Sequence, residues 1–406
     1  MLTFGGRPLD ATTTLRDGTH RSATLEQTWA RFAPAAKRAG ITRLADLTGL
    51  DTLGIPVFAA IRPLGRSLST QQGKGITPLA AKVSALMESL ETWTAEHVLD
   101  GGAHVRGSYR ALRNRRLRGA RETGARPTPI DVRALPRAPG RLDLDATWTW
   151  IEGRDLVTDT PVLVPLDSVT LDCVFSKPPV FDVSSNGLAS GNVLAEAILH
   201  GLCEVLERDA EAAWRRAGGD RRLVLDSISD PICSSLIDRI VRSGVRVFVW
   251  DLGATEVCAI GCAIVEDPRE PSWRELGCYQ GFGAHLMPEV AIARALTEAA
   301  QTRLTYIAGA RDDFFPADYA RATDREVVLE VWERLAAPCD EPTMFDDLPR
   351  FDAPTLGCGL ADLVARVVES GGAAQVIAVD LTHPKLRVPV AKVLVPGRAT
   401  DLEAMG

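Results

Sequence analysis

Residues 184–210 read SSNGLASGNVLAEAILHGLCEVLERDA, and the rest of the chain is best approached from them. A Ser/Asn/Gly-rich turn gives way at about Asn192 to a single helix. At about 100° per residue, Ile198, Leu202, Val205 and Leu206 gather on one side and predict its buried face. Glu207 falls only about 20° from Glu196 and Glu204 about 80°, so three carboxylates share the other side. Arg208 flanks them. Like charges at this spacing cost a helix roughly 0.2–0.5 kcal/mol per pair unless something neutralises them. The turn before the helix adds backbone N–H groups and a helix N-terminus, a ready place for an anion.

A second stretch repeats the device. In AAKVSALMESLETWTAEH, residues 80–97, Ser84, Glu88 and Glu91 stand at i, i+4 and i+7 and face one way, while Val83, Leu86 and Leu90 face the other. A lone acidic helix face is ordinarily just solvated. Two carboxylate-lined helices, a Gly-rich turn and several arginines point instead to a divalent metal with a polyphosphate, because hard oxygen ligands suit Mg²⁺.

The chain has 406 residues, 46% hydrophobic and 24% charged, enough for a substantial core of a soluble globular type. A net charge of −7 with no basic stripe argues against nucleic acid. The cysteines at 173, 203, 233, 258, 262, 278, 339 and 358 form no CxxC, so no zinc site is expected, and Cys258 and Cys262 read as core residues. MLTFGGRPLD has neither the charged nor the apolar region of a signal peptide, and no apolar run reaches 18 residues. A cytoplasmic protein with reduced thiols, away from membranes, is the expectation.

Along the chain, residues 1–20 read as extended, ending in the DGT turn at 17–19. A helix is predicted from Ser22 to Gly40, capped by Thr24 or Ser22, then a strand over Ile55–Ile61 and a turn over Gln71–Gly75. The first acidic helix should span about Pro78 to Leu99. Residues 101–140 are rich in Arg and Pro and read as an insertion, either a solvated, partly mobile one or a cationic arm for an acidic leader peptide or protein partner. A hairpin (148–153 with 161–169), a strand pair (245–252 with 258–265) and a long helix over 284–309, starting near Met287-Pro288, follow. Helices at 323–336 and 359–371 and strands at 374–381 and 387–395 complete the chain. Without a βαβ cadence or a repeat of fixed period, the class is α+β with antiparallel sheet. There is no Walker A pattern, no GxSxG and no HExxH. His200, mid-helix among the carboxylates, reads as a neighbour that tunes them rather than a ligand.

Several ordered motifs together resemble the YcaO family, whose members modify peptide backbone amides with ATP. They are RDGTHR (16–21), ITRLADLTGLDTLGIPV (41–57), QGKG (72–75), SALMESLE (84–91), NGLASGNVLAEAILHGLCEVLERDA (186–210) and EAAQTRLTYIAGARDD (298–313). They span most of the chain, about Arg16 to Gly397, and imply one catalytic domain. The resemblance implies that Glu88, Glu91, Glu196, Glu204 and Glu207 hold Mg²⁺ ions bridging the phosphates of ATP, with Ser84 and Asn192 completing the polar shell. It implies phosphate contacts for Arg21, Arg208 and Arg303, with Lys74 as a point charge and Gln301 on the same side. Arg311 is either another such contact or an ordinary salt-bridge partner within GARDD.

In the family a nucleophile attacks the amide carbon and the amide oxygen is phosphorylated and leaves as phosphate. A Cys, Ser or Thr side chain gives an azoline, an amine an amidine, and external sulfide a thioamide. The resemblance is strongest to members that stand alone, making thiazolines and macroamidines in bottromycin-like peptides, or that work beside a TfuA protein to make thioamides. Many of the second group should carry HAE where this chain has Thr94-Ala95-Glu96, which tilts the reading toward a standalone cyclodehydratase. The chain ends PGRATDLEAMG rather than in the proline-rich tail that supplies a base in many members, so no general base is named. The implied partners are a precursor peptide, a separate TfuA or leader-binding protein, and a second copy in a homodimer. The alternative of another class is a non-catalytic ATP-binding accessory protein.

Overall fold

The computed structural model describes residues 2–12, 19–101, 103–119, 126–137, 140–174, 178–218, 220–309, 311–339, 342–371 and 373–398. Most of the expected DGT turn and the tail from 399 onward lie outside these. The class is α+β as expected, with sheets almost wholly antiparallel. Among the described strands, the parallel pairing joins Thr128–Pro129 to Thr160–Pro165, and an isolated parallel bridge links Leu223 to Thr343.

Two units of the same design build the cleft. In the first, the helix Leu25–Ala39 leads into a meander of Arg43–Asp46, Val57–Ile61 and Thr70–Lys74, and then into the helix Pro78–Glu96. In the second, Pro231–Arg242 leads into Arg246–Asp251, Cys258–Val265 and Tyr279–His285, and then into Pro288–Ala308. Local sequence sets the boundaries. Thr24 and Gln27 form a capping box at the first helix, and Gly40 ends it at φ 79°. Pro78 and Pro288 open the two cleft helices, where a missing N–H costs nothing.

The turn expected over Gln71–Gly75 is instead a strand. Gly73 is the reason: an added Cβ would lie 1.9 Å from the Ala85 nitrogen and 2.5 Å from the Ala81 oxygen, so the strand can rest directly on the Pro78 helix only without a side chain there. Gly283 repeats the contact in the second unit, its Cβ falling 2.2 Å from Ala291 O and 2.8 Å from Ala295 N. Gly73, Pro78, Ala81 and Ala85 thus correspond to Gly283, Pro288, Ala291 and Ala295 at one constant offset, a repeat that hydropathy alone did not expose. The long helix begins at Pro288, as the Met287-Pro288 signal predicts, and Ala284 and His285 before it end the strand.

A seven-stranded sheet carries the third cleft helix, Leu194–Ala217, which starts close to the expected point. Within the expected turn, Leu188–Ser190 pairs with Val390–Leu394. Gly187, at φ 76°, passes so close to Val393 O that a Cβ would sit 2.2 Å away. The Arg/Pro-rich segment joins this sheet: His104–Ser108 pairs with Thr147–Asp155, and Tyr109 and Leu112 of the helix Tyr109–Gly119 are buried. Ile198, Leu202, Val205 and Leu206 are buried as the helical wheel required, as are Cys258 and Cys262.

Overpacking at Gly283 tests this strand-on-helix contact. Gly283→Ala should cost about 1–3 kcal/mol in chemical denaturation. Gly49→Ala, with nothing within 4 Å of its Cβ, should leave the midpoint in place.

Candidate functional site

The helices Pro78–Glu96, Leu194–Ala217 and Pro288–Ala308 bring their polar faces together. The first supplies Glu88 and Glu91, the second Glu204, Glu207 and Arg208, the third Arg294 and Glu298. Their effects on one another's ionisation show the proximity. Burial pushes Glu88 up to about 7, against the pull of Lys74 and Arg311. Glu88 is open to water from within the cleft, yet protein surrounds it closely enough to disfavour its charge. Burial, then Glu88 and Glu204, raises Glu91 well above the carboxylate range. Burial takes Glu204 to about 7, with Arg208 opposing and Glu207 reinforcing the shift. Glu207 is raised by burial against the pull of Arg208. Burial also opposes the charge of Glu298, but Lys74 and then Arg208 outweigh it and hold that carboxyl low.

Lys74 forms an ion pair with Glu298 across the two units. Arg208 Nη1 donates to Glu211 Oε2 at 3.1 Å and also feels Glu207, Glu298 and Glu204. On the sheet floor, buried Lys392 donates to Ser184 O, and burial lowers its pKa to about 8 against Glu204, Asp182 and Glu91.

Glu196 sits apart, about 12 Å along the helix from Glu204. It accepts from Arg21 Nη1 (2.9 Å), Ser22 Oγ (2.8 Å) and Asn192 N (3.2 Å). It therefore serves as the anion at its own helix N-terminus and ties residues 21–22 to the Gly-rich segment. Asn192 is further held by Thr28 and Arg31. Ser84 is half-buried one turn before Glu88.

Three expected phosphate contacts are committed elsewhere in this structure. Arg303 is fully buried, with Nε 2.9 Å from Asp51 Oδ2 and Nη2 2.7 Å from Glu266 Oε1. Gln301 donates to Gln72 O at 3.0 Å. Arg311 pairs with Asp313 at 2.7 Å, as the salt-bridge alternative had it, while still acting on Glu88. The sequence reading passed over Glu298, Arg294 and Lys392. A signal for the first was present, since Glu298 follows Gly283 and Pro288 at the spacing by which Glu88 follows Gly73 and Pro78.

Among the described residues no three His, Cys, Asp or Glu side chains are arranged to grip a metal by themselves. Mg²⁺ does not require that: it commonly takes one or two carboxylates together with phosphate oxygens and waters. The donor set fits such a group. Glu207 Oε2 is buried with no hydrogen-bond partner, which calls for a cation, and Arg294 Nε is buried without an acceptor, which calls for an anion.

The model of the YcaO family, described as an ATP- and Mg²⁺-binding cyclodehydratase, matches residues 72–399. The chain belongs to the YcaO family. It is 36% identical over 392 residues to an uncharacterized protein in the tfuA 3′ region of Rhizobium leguminosarum bv. trifolii, covering 94% of this chain and 89% of that one. It is 33% identical over 385 residues to an uncharacterized protein of Methanothermobacter thermautotrophicus, covering 91% and 93%. Among solved structures, the YcaO protein of Methanopyrus kandleri bound with AMPPCP and Mg²⁺ superposes with a TM-score of 0.74 at 27% identity, over 97% of this chain and 96% of that one. A heterocyclase in complex with substrate and cofactor gives the same TM-score at 23% identity, and this chain spans 55% of its length, a likeness of fold. No helix among the described residues is long and apolar enough to cross a membrane.

Two outcomes are expected. Arg303→Met should destabilise the protein by about 3–5 kcal/mol, because it strands Asp51 in the interior and leaves Glu266 with Arg274 alone, and denaturant melts will measure the loss. The raised carboxyls set the second. Their folded pKa values of about 7 for Glu88 and Glu204 exceed the ordinary 4.5, so ionising them opposes folding. Their contribution is therefore most favourable below the ordinary carboxylate range and is lost as pH rises toward and through about 7. Mg²⁺ should raise the melting temperature more above about pH 7 than below about pH 5, and an increment independent of pH would count against the cation site.

Proposed function

We propose that this chain uses ATP to activate a peptide backbone amide, as a cyclodehydratase that turns a Cys, Ser or Thr side chain and the preceding amide into an azoline. The observation that carries this reading is the group of carboxylates with raised pKa values that lines the cleft beside Arg208 and Arg294, with a buried, unpartnered Glu207 oxygen among them. Glu88, Glu91, Glu204, Glu207 and Glu298 would hold Mg²⁺, which supplies Lewis-acid neutralisation of phosphate charge. Arg208, Arg294 and Lys74 would orient phosphate oxygens, and Glu196 would fix Arg21 and Asn192 at the other end of the same helix. A poor electrophile with a poor leaving group demands such positioning. The incoming heteroatom loses its proton and bonds to the amide carbon, and the amide oxygen takes the γ-phosphoryl group as the bond between the β- and γ-phosphates breaks. The carbon–oxygen bond then breaks as the amide nitrogen gives up its proton and the C=N bond forms, so that the oxygen leaves as phosphate and ADP remains.

A second reading, oxygen-for-sulfur exchange with external sulfide and a TfuA partner, is supported by the Rhizobium relative in the tfuA 3′ region. Thr94-Ala95-Glu96 is compatible with it. Thr94 is buried and bonded to Leu90 O, and Glu96 is locked to Arg62 and Ser67, so packing fixes these residue types.

Mass spectrometry of candidate precursor peptides incubated with the protein, Mg²⁺ and ATP separates the readings. Loss of one water without sulfide supports the cyclodehydratase. A gain equal to replacing oxygen by sulfur, only with sulfide and TfuA, supports thioamide formation. No change under any condition supports the accessory role. Glu204→Gln and Glu207→Gln should each abolish turnover, a loss of several kcal/mol of transition-state stabilisation at about 1.4 kcal/mol per tenfold, with melting curves close to the parent. Near-normal activity in both would overturn the assignment.

A further inference from the structure

The contact between His200 and Arg294 is not explained by packing. The imidazole Nε2 and the guanidinium Nη1 stand 2.7 Å apart, joining the Leu194 and Pro288 helices. A guanidinium only donates, so Nε2 must be the acceptor and the ring proton must sit on Nδ1. The surroundings enforce that form: burial first, then the charges of Arg294, Arg21 and Lys74, hold the imidazole neutral. Each partner lies one helical turn before a cleft carboxylate, His200 before Glu204 and Arg294 before Glu298. Arg294 acts on Glu204, Glu207 and Glu298, and its Nε remains buried without a partner.

Left to itself, such an arginine would fold onto the nearest carboxylate and fill the place of an incoming anion. A long side chain with about 2 kcal/mol of rotamer entropy needs something to prevent that. His285, the other buried imidazole that feels Arg294, is already engaged, its Nδ1 accepting from Met287 N and its ring edge-on to His20.

We infer that His200 is a positioning residue: as a neutral acceptor it restrains Arg294 from the cleft carboxylates and keeps its remaining N–H groups open to a phosphate. This rests on the nucleotide reading above and goes beyond it by naming what prepares the site before ATP arrives.

Binding of a non-hydrolysable ATP analogue with Mg²⁺, followed by calorimetry in the full chain without peptide, tests both levels. The parent should bind. His200→Leu should weaken binding about tenfold or more, the scale of a hydrogen bond to a charged group, while His200→Gln, whose Oε1 can accept the same N–H, should stay within about threefold of the parent. In an Arg294→Met background, His200→Leu should have no further effect. Unchanged binding in His200→Leu, equal loss in Leu and Gln variants of matched melting temperature, or a full His200→Leu penalty without Arg294 would each overturn the inference. Should His200→Leu fail to fold, His200→Ala takes its place in the same comparison with His200→Gln, in the parent and in Arg294→Met. A parent that binds no analogue would overturn the nucleotide reading itself.

Discussion

Glu88, Glu91, Glu204, Glu207 and Glu298 converge from three helices on one cleft, where burial disfavours their charge and repulsion adds to it: Glu298 acts on Glu88 and Glu207, Glu88 and Glu204 on Glu91, and Glu207 on Glu204. In water such repulsion is slight. Inside a protein it is several times stronger, because the effective dielectric falls from about 80 to about 20 or below. The surrounding architecture answers that repulsion. Lys74 reaches Glu298 from the opposite unit, Arg208 stands among three of the carboxylates, and Lys392 rises from the sheet below. These cations offset only part of the charge, and the raised carboxyls are the remainder. A hard divalent cation with a polyphosphate is the chemistry that completes such a balance while leaving the charge available for use.

The arginines divide into two groups by what surrounds them. Arg303 and Arg62 are wholly buried and paired with carboxylates, Asp51 with Glu266 and Glu96 respectively, and they tie elements together. Arg208 and Arg294 sit beside carboxylates that exceed them in number, with donors to spare. Net local charge distinguishes these two groups better than burial does.

Much of this was legible in the residues. Helical periodicity placed Glu88, Glu91, Glu204 and Glu207 on polar faces, and capping residues fixed the ends of the Leu25–Ala39 helix. What the pattern could not supply was direction along a helix and partnership across the fold. Glu196 shares a wheel face with Glu207, yet eleven residues of rise carry it to the other end, beside Arg21. Arg303 follows Glu298 by five residues, enough to turn it off the cleft and into the interior. Strand Thr70–Lys74 was misread because its QGKG glycine looks like turn chemistry, whereas it is there for the backbone of the facing helix.

The two helix–meander–helix units deserve one last thought, because Glu88 and Glu298 occupy the same rung of corresponding helices. Neither unit holds a cleft by itself. The distance between those carboxylates belongs to the joint, made where the Pro288 helix leans on Thr70–Lys74 through Gln301, Thr305 and Lys74. A sub-ångström slip at that seam would retune the grip on a small cation without altering any ligand. Selection acting on seam residues such as Gln72 and Thr305 could thus adjust the chemistry from a distance, as a luthier tunes a string at the peg rather than at the bridge.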